Sequence, residues 1–195
     1  MFRGLLTGYN EAYIIDTPTK ERLCRQNNKN VDLIKPIIRG RNIREYFHNW
    51  NGEWVLFIPW HFPLQNDSSI TKASKEAEKI FAQTYPSIFQ HFSQFKEKLV
   101  KRNQAETGIR YEWYAMQRYA ADYLDHFKKE KIIWIELTDK NRFSYSEKEE
   151  YILAGAFMMT GESLKFLLAF LNSKLCLFYF SLICNSSGMA TTQWK

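Results

Sequence analysis

The sequence predicts an α+β fold, a mixed β-sheet flanked by helices, on three observations. Lys131-Ile132-Ile133-Trp134-Ile135 is a near-continuous apolar run of strand length, the pattern of a central strand covered on both faces. Ser87 to Lys101 instead carries Ile88, Phe89, Phe92, Phe95 and Leu99 at the three-and-four spacing of a helix with one buried face. Fifteen Phe, eleven Tyr and six Trp supply rings that fill layers between sheet and helix. With 195 residues, 45% of them hydrophobic, the chain can bury one compact core, expected over residues 1–185 with 186–195 as a tail.

Element by element, Gly4 to Asp16 reads as strand, turn and strand, with the turn at Gly8 and Ala12-Tyr13-Ile14-Ile15 as the second apolar run. Thr17 is placed as the N-cap of a helix from Thr19 to Gln26, which the polar tract Asn27-Asn28-Lys29-Asn30 stops. A second short helix starts at Val31 or Asp32 under Asn30. Pro36 ends it, because the residue before a proline is pushed out of the helical region. The chain turns at Gly40, and Glu53 to Ile58 forms a strand that Pro59 closes, followed by a loop from Leu64 to Lys72.

Ser74 to Thr84 reads as a helix, and Pro86 sits in the first turn of the next, Ser87 to Lys101. Lys96, Lys98, Lys101 and Arg102 crowd its last turn, where they suit the helix dipole. Ile109 to Tyr114 looks extended and Gln117 to Asp125 partly helical. Beyond the strand at Lys131, Tyr151 to Thr160 is a further strand. Gly161-Glu162 opens a helix through Leu171, broken at Asn172-Ser173 before a last helix, Lys174 to Ile183.

The net charge of +6 favours anionic partners without separating nucleic acid from phospholipid. Cys24, Cys176 and Cys184 are too few and too scattered for a disulfide framework, which fits a reducing, cytoplasmic compartment. No signal peptide is expected, since the N-terminus runs into Thr7-Gly8-Tyr9-Asn10 after a few apolar residues. The apolar stretch from Leu164 to Cys184 is interrupted by Lys165, Asn172, Ser173 and Lys174. One lysine at mid-bilayer costs roughly 3 kcal/mol, so two helices buried in protein, and no membrane partner, are expected.

Catalytic signatures are missing: no glycine pair has dinucleotide or Walker spacing, and no two of His48, His61, His91 and His126 stand four apart. No Gly-x-Ser-x-Gly elbow occurs either. Glu136 and Asp139, beside Lys140 at the end of the central strand, faintly suggest a small metal-dependent nuclease, but no further acid stands at a workable spacing. No catalytic or metal-ligating residue is therefore assigned.

The densest polar cluster is Lys35 to Arg44, with four cations and no acid in ten residues. Duplex recognition needs cations on phosphates for position and forked donors or amides on base edges for sequence. Arg39, Arg41 and Arg44 alternate around Gly40 with Lys35 behind them, as phosphate contacts. Asn42 and Gln117 are amides of the type that pairs with adenine, and Arg118 is a forked donor beside Gln117. Asn10, after the Gly8 turn, either contacts DNA or satisfies the turn's own backbone. On residues alone, a non-specific nucleic-acid-binding module stays open as an alternative.

The order of the clusters narrows the choice. Gly4-Leu5-Leu6-Thr7-Gly8-Tyr9-Asn10-Glu11-Ala12-Tyr13-Ile14-Ile15-Asp16, then Leu33 to Ile43 (L-I-K-P-I-I-R-G-R-N-I), resembles the start of the TaqI-like DNA-specificity domain of adenine methyltransferases and fused restriction-modification enzymes. Y-P-S-I at Tyr85, F-K-E-K-L with Arg102, W-Y-A-M-Q-R at Trp113, K-I-I-W-I-E-L at Lys131 and L-N-S-K-L at Leu171 follow in that family's order, so the likeness runs from Gly4 to about Lys174. The resemblance implies a target-recognition domain that grips double-stranded DNA opposite a methyltransferase domain of the same parent chain and reads the site in the major groove. In that family the partner domain holds S-adenosylmethionine, flips the adenine and methylates it. An Asn-Pro-Pro-Tyr-type motif and a glycine-rich methyl-donor loop are both lacking here, so this chain is expected to be a non-catalytic C-terminal piece without a cofactor of its own, its tail clipped after Gly188. Residues that recur across such a family serve scaffold and phosphate. The base-reading determinants are therefore expected in the loops Trp60 to Lys72 and Gln104 to Arg110, while Trp113, Lys131, Asn172 and Ser173 serve architecture.

Overall fold

A computed structural model describes residues 1–138 and 140–183; Asp139 and residues 184–195, with Cys184 and the expected tail 186–195, lie outside the described residues. The described strands are β1 (Phe2–Arg3), β2 (Ile14–Asp16), β3 (Ile34–Ile38), β4 (Glu53–Leu56), β5 (Lys131–Ile135), β6 (Ser144–Ser146), β7 (Tyr151–Ile152) and β8 (Ala156–Met159). The α-helices are α1 (Asn10–Tyr13), α2 (Thr17–Gln26), α3 (Lys75–Thr84), α4 (Pro86–Ser93), α5 (Lys96–Lys101), α6 (Leu164–Leu171) and α7 (Lys174–Ile183). Where the sequence suggests a single core, the chain divides into two compact units. One, here the helical unit, takes Leu6–Pro36 and Gly52–Ala121; the other, the sheet unit, takes Met1–Leu5, Ile37–Asn51 and the chain from Asp122 onward.

In the helical unit β4 runs antiparallel to both β2 and β3, with Ile14 opposite Val55 and Ile34 opposite Leu56. Asp16, not Thr17, caps α2. Its carboxylate accepts the Thr19 amide at 2.9 Å, and hydrogen bonds from Thr19 hold its pKa below the usual carboxylate value. Asn30 is no cap. It is buried within a 3₁₀ turn, Asn28–Leu33, and donates to the Leu23 carbonyl at 2.7 Å and to Ser87 Oγ at 2.8 Å. The residues leading to Pro36 belong to β3 rather than to a helix; Pro36 is the last residue opposite β4, where a missing N–H can end a ladder.

Ala12 and Tyr13 form one helical turn, α1, instead of a strand. The buried Tyr13 hydroxyl lies 2.8 and 2.7 Å from the carbonyls of Tyr114 and Ala115. Burial raises its pKa to about 12 against the opposing pull of Arg102. The long helix expected over Ser87 to Lys101 breaks between α4 and α5. Phe95 leaves helical geometry at φ −108°, ψ 5°, without a glycine or proline at the break. Residues 109–114 form no strand, yet Tyr111, Trp113, Tyr114, Ala115 and Met116 are all buried. Phe81 packs on Tyr114 with ring centres 4.6 Å apart and on Phe62 edge-to-face at 5.4 Å, so part of the aromatic richness fills this core.

The sheet unit is built on an antiparallel sheet of order β1-β8-β5-β6, with β5 in the interior position that its apolar run predicts. The single strand expected from Tyr151 to Thr160 is two. Strand β7 runs parallel to Ile37–Ile38 at the end of β3, the chain turns at Gly155 (φ +93°), and β8 inserts between β1 and β5. Helix α6 covers the sheet through Leu164 and Leu168 on Ile132, flanked by Trp134, Phe143 and Tyr145.

Lys131, fully buried, donates to the carbonyls of Phe127 (2.8 Å), Lys129 (3.1 Å) and Lys148 (2.7 Å); burial lowers its pKa to about 8. Asn172 ends α6 and exchanges two hydrogen bonds with the Phe143 backbone, while Ser173 Oγ caps α7 by accepting the Cys176 amide at 3.1 Å. No single described helix is long and apolar enough to cross a membrane. The pair α6 and α7 passes that test only together, bent by 66° at their break.

Candidate nucleic-acid interface

Four of the residues expected to touch DNA, Arg39, Arg41, Asn42 and Arg44, belong to the sheet unit; Asn10, Lys35, Gln117 and Arg118 belong to the helical unit. The basic bend is a 3₁₀ turn, Gly40–Asn42, closed by Asn42 N–H to the Arg39 carbonyl at 2.8 Å and Ile43 N–H to the Gly40 carbonyl at 3.1 Å. A side chain at Gly40 would put Cβ 2.9 Å from Ile135 Cγ2, so this glycine lets the turn sit on β5. Arg41 and Arg44 are exposed and Arg39 half-buried. Asn42 is turned inward: it is 4% exposed, and its Oδ1 accepts from Asn51 Nδ2 at 3.3 Å. That burial corrects its assignment as an adenine-reading amide.

Following the bend, Arg44 to His48 fold into a small loop. Arg44 N–H donates to the Phe47 carbonyl at 2.9 Å, and the Arg44 guanidinium donates to the carbonyls of Arg41 (2.6 Å) and Ile43 (2.9 Å). Tyr46 sits in the left-handed region at φ 71°, a conformation that costs a bulky residue of order 1 kcal/mol or more. It is held there by its N–H on the Phe143 carbonyl (2.8 Å) and by the Tyr145 N–H on its own carbonyl (3.3 Å).

His48 anchors the far end of the loop, with Nδ1 2.8 Å from Ser144 Oγ and Nε2 2.9 Å from a Glu150 carboxylate oxygen. Burial works to raise the Glu150 carboxyl, but hydrogen bonds from His48 and Ser146 outweigh it and keep its pKa below the usual value. The serine, histidine and glutamate stand in the order of a hydrolytic triad. Ser144 is fully buried, however, so the trio is a brace.

This loop and the chain after β5 enclose a cleft of about 1000 Å³ lined by Arg41, Arg44, Glu45, Tyr46, Phe47, Lys140, Asn141 and Arg142. Among the described lining residues there are four cations and one acid. Asn141 is buried and donates to the Leu171 carbonyl at 2.7 Å, which fixes the backbone that carries Lys140 and Arg142. Sequence reasoning missed Lys140 and Arg142 as partners of the bend; the available signal was their placement either side of one asparagine just beyond the central strand.

Gln117 and Arg118 are otherwise occupied. Glu106 takes the Arg118 fork on both oxygens, at 3.0 and 3.1 Å, and also the Arg110 guanidinium at 2.9 Å. The pairing raises the Arg118 pKa and lowers that of Glu106, and both guanidinium groups lie near the Trp60 ring, at 5.8 and 5.5 Å. A fork closed on a carboxylate must release it before it can read a base. Gln117 Oε1 lies where a Cβ on Gly8 would come within 2.7 Å, so its carboxamide packs on that turn. Asn10 serves the same turn, its Oδ1 accepting the Thr7 hydroxyl at 2.6 Å, and Lys35 is half-buried in β3 opposite Val55.

Arg102, which lies outside the predicted site, ties together the family motifs of the helical unit. Its guanidinium donates to the Thr7 carbonyl (2.6 Å), the Tyr13 hydroxyl (2.8 Å), the Trp113 carbonyl (3.3 Å) and the Ala115 carbonyl. Among the described residues no group of three His, Cys, Asp or Glu side chains could hold a metal; Glu136 instead pairs with Arg3 at 3.6 Å, and Asp139 lies outside the described residues.

A family model described as the TaqI-like C-terminal specificity domain matches residues 35–195, most of the sequence. The chain belongs to that family. The Type II methyltransferase M.MjaIV of Methanocaldococcus jannaschii is 22% identical to this specificity domain over 177 residues, 87% of the chain and 53% of the relative, so the domain spans about half of that protein's length. Its fold is also that of part of the Type IIL restriction-modification enzyme MmeI, solved in complex with DNA. The likeness has a TM-score of 0.57 at 10% identity and covers 92% of this chain and 21% of MmeI.

Proposed function

We propose that this specificity domain recognises double-stranded DNA on behalf of a methyltransferase domain in the same parent chain, and performs no methyl transfer itself. The observation that carries the reading is the cleft in which Arg41, Arg44, Lys140 and Arg142 converge on a space of about 1000 Å³. Such a grouping suits phosphate oxygens, whose contacts position a duplex. Family membership and the methyltransferase relative support the parentage. The finer points of the proposal are adenine as the methylated base, S-adenosylmethionine as the cofactor of the partner domain, and a cytoplasmic setting in which Cys24 and Cys176 stay as the free thiols they are here.

Fluorescence anisotropy with a randomised duplex pool tests the reading. Binding should fall steeply with salt, and sites selected from the pool should share a short sequence. Preference for single-stranded RNA or anionic vesicles over duplex would overturn it. So would magnesium-dependent plasmid cleavage that Glu136→Ala abolishes.

A further inference from the structure

The basic cleft has an aromatic lip that phosphate binding does not explain. Tyr46 and Phe47 are 51% and 55% exposed, side by side in sequence, and both line the same cleft as Arg41, Arg44, Lys140 and Arg142. Large rings are ordinarily removed from water, and here the backbone is held in an unfavourable conformation while one of them stays out. Tyr46 keeps φ 71° through two main-chain hydrogen bonds, to Phe143 and from Tyr145. The brace of His48 on Ser144 and Glu150 fixes the end of the loop. The rings are thus displayed on a rigid support, and little conformational freedom remains to be lost when they meet a partner.

We propose that Tyr46 and Phe47 press against base faces at one step of the bound duplex and partly unstack it, while the four cations of the cleft hold the flanking phosphates. The inference rests on the duplex-binding reading above and adds a role that no cation can fill. A base presents a flat π-face that an aromatic ring covers whatever the sequence, and a wedge of this kind is repaid by the extra contacts that the opened step permits.

The test uses the full 195-residue chain and a duplex selected from the randomised pool, with 2-aminopurine substituted at successive positions to report unstacking. Tyr46→Gly is the suitable deletion because glycine accepts a positive φ without strain; Phe47→Ala removes the second ring, and Tyr46→Phe keeps the first. Melting curves establish that each variant is folded. The expected result is brightening at one step with the unsubstituted chain, no brightening with Tyr46→Gly or Phe47→Ala, and affinity lower by about tenfold to a hundredfold for each. The slope of affinity against salt should not change, and Tyr46→Phe should behave as the parent.

Unchanged affinity and brightening in the two deletions would overturn the aromatic role and leave duplex binding standing. A deletion that lowers the salt slope would also overturn it, because the ring would then be positioning a cation. Failure of the unsubstituted 195-residue chain to bind any duplex at about 50 mM salt would instead overturn the proposed function, and this inference with it.

Discussion

Arg102 and Arg44 both donate to main-chain carbonyls, but they are placed for opposite ends. In the helical unit Arg102 is wrapped by Thr7, Tyr13, Trp113 and Ala115, and its contacts join segments far apart in sequence. In the sheet unit Arg44 closes its own turn through Arg41 and Ile43 and lines an open cleft. Arg110 and Arg118 follow the first pattern, quenched on Glu106. The comparison teaches that a cation's role depends on how completely carbonyls or a carboxylate enclose it, and that basic composition alone does not separate the two cases.

The sharpest way to break this contrast is Arg102→Met. Loss of its donors strands several buried carbonyls, and unfolding in urea should show at least about 3 kcal/mol of destabilisation. Lys140→Ala, in the cleft, should leave the urea midpoint where it is. A result in which both changes destabilise equally would erase the distinction.

Lys131 extends the test to the sheet unit. Its folded pKa of about 8 lies below the ordinary lysine value of 10.5, so between those values the unfolded chain binds more protons than the folded one. Stability therefore rises with pH through this window and is lost as pH falls toward 8. Between about pH 8 and 9.5 the gain should be about 1 to 2 kcal/mol, absent in Lys131→Met, as measured by denaturation at each pH.

For the cleft, Arg41→Ala and Lys140→Ala should each weaken every duplex alike and lower the salt slope by about one. The gentlest intervention is Glu106→Gln. It frees the Arg118 fork and Arg110, so duplex binding without sequence preference should strengthen slightly and the melting temperature stay near that of the parent. No gain in binding would mean that those guanidinium groups do not reach DNA even when released.

Much of the fold is legible in the sequence, for identifiable reasons. The interior place of β5 follows from its unbroken apolar run, and α3 from Ser74, whose hydroxyl accepts the Ala77 amide at 3.1 Å. What escaped was set by contacts distant in sequence. Tyr13 turns in α1 because its hydroxyl reaches Tyr114 and Ala115, about a hundred residues away. Periodicity gives no sign of the break at Phe95, or of the division of Tyr151 to Thr160 by the turn at Gly155. Within the site, charge density located the bend, while residue type misplaced Asn42, since an asparagine bonded inside a turn and one facing a base look alike in sequence. Lys140 and Arg142 join Arg41 and Arg44 only once the chain is folded.

The chain leaves the helical unit after Pro36 and re-enters it at Gly52, and between those points it carries the bend, the aromatic pair and the histidine brace. One excursion therefore holds the cations of the bend, the two rings and their brace together, outside the packing that Arg102 organises. Substitutions along it can accumulate without burdening that packing, so the proposed grip on the duplex is free to drift within a single short cassette, and a graft of 37–51 between relatives is the natural unit of exchange.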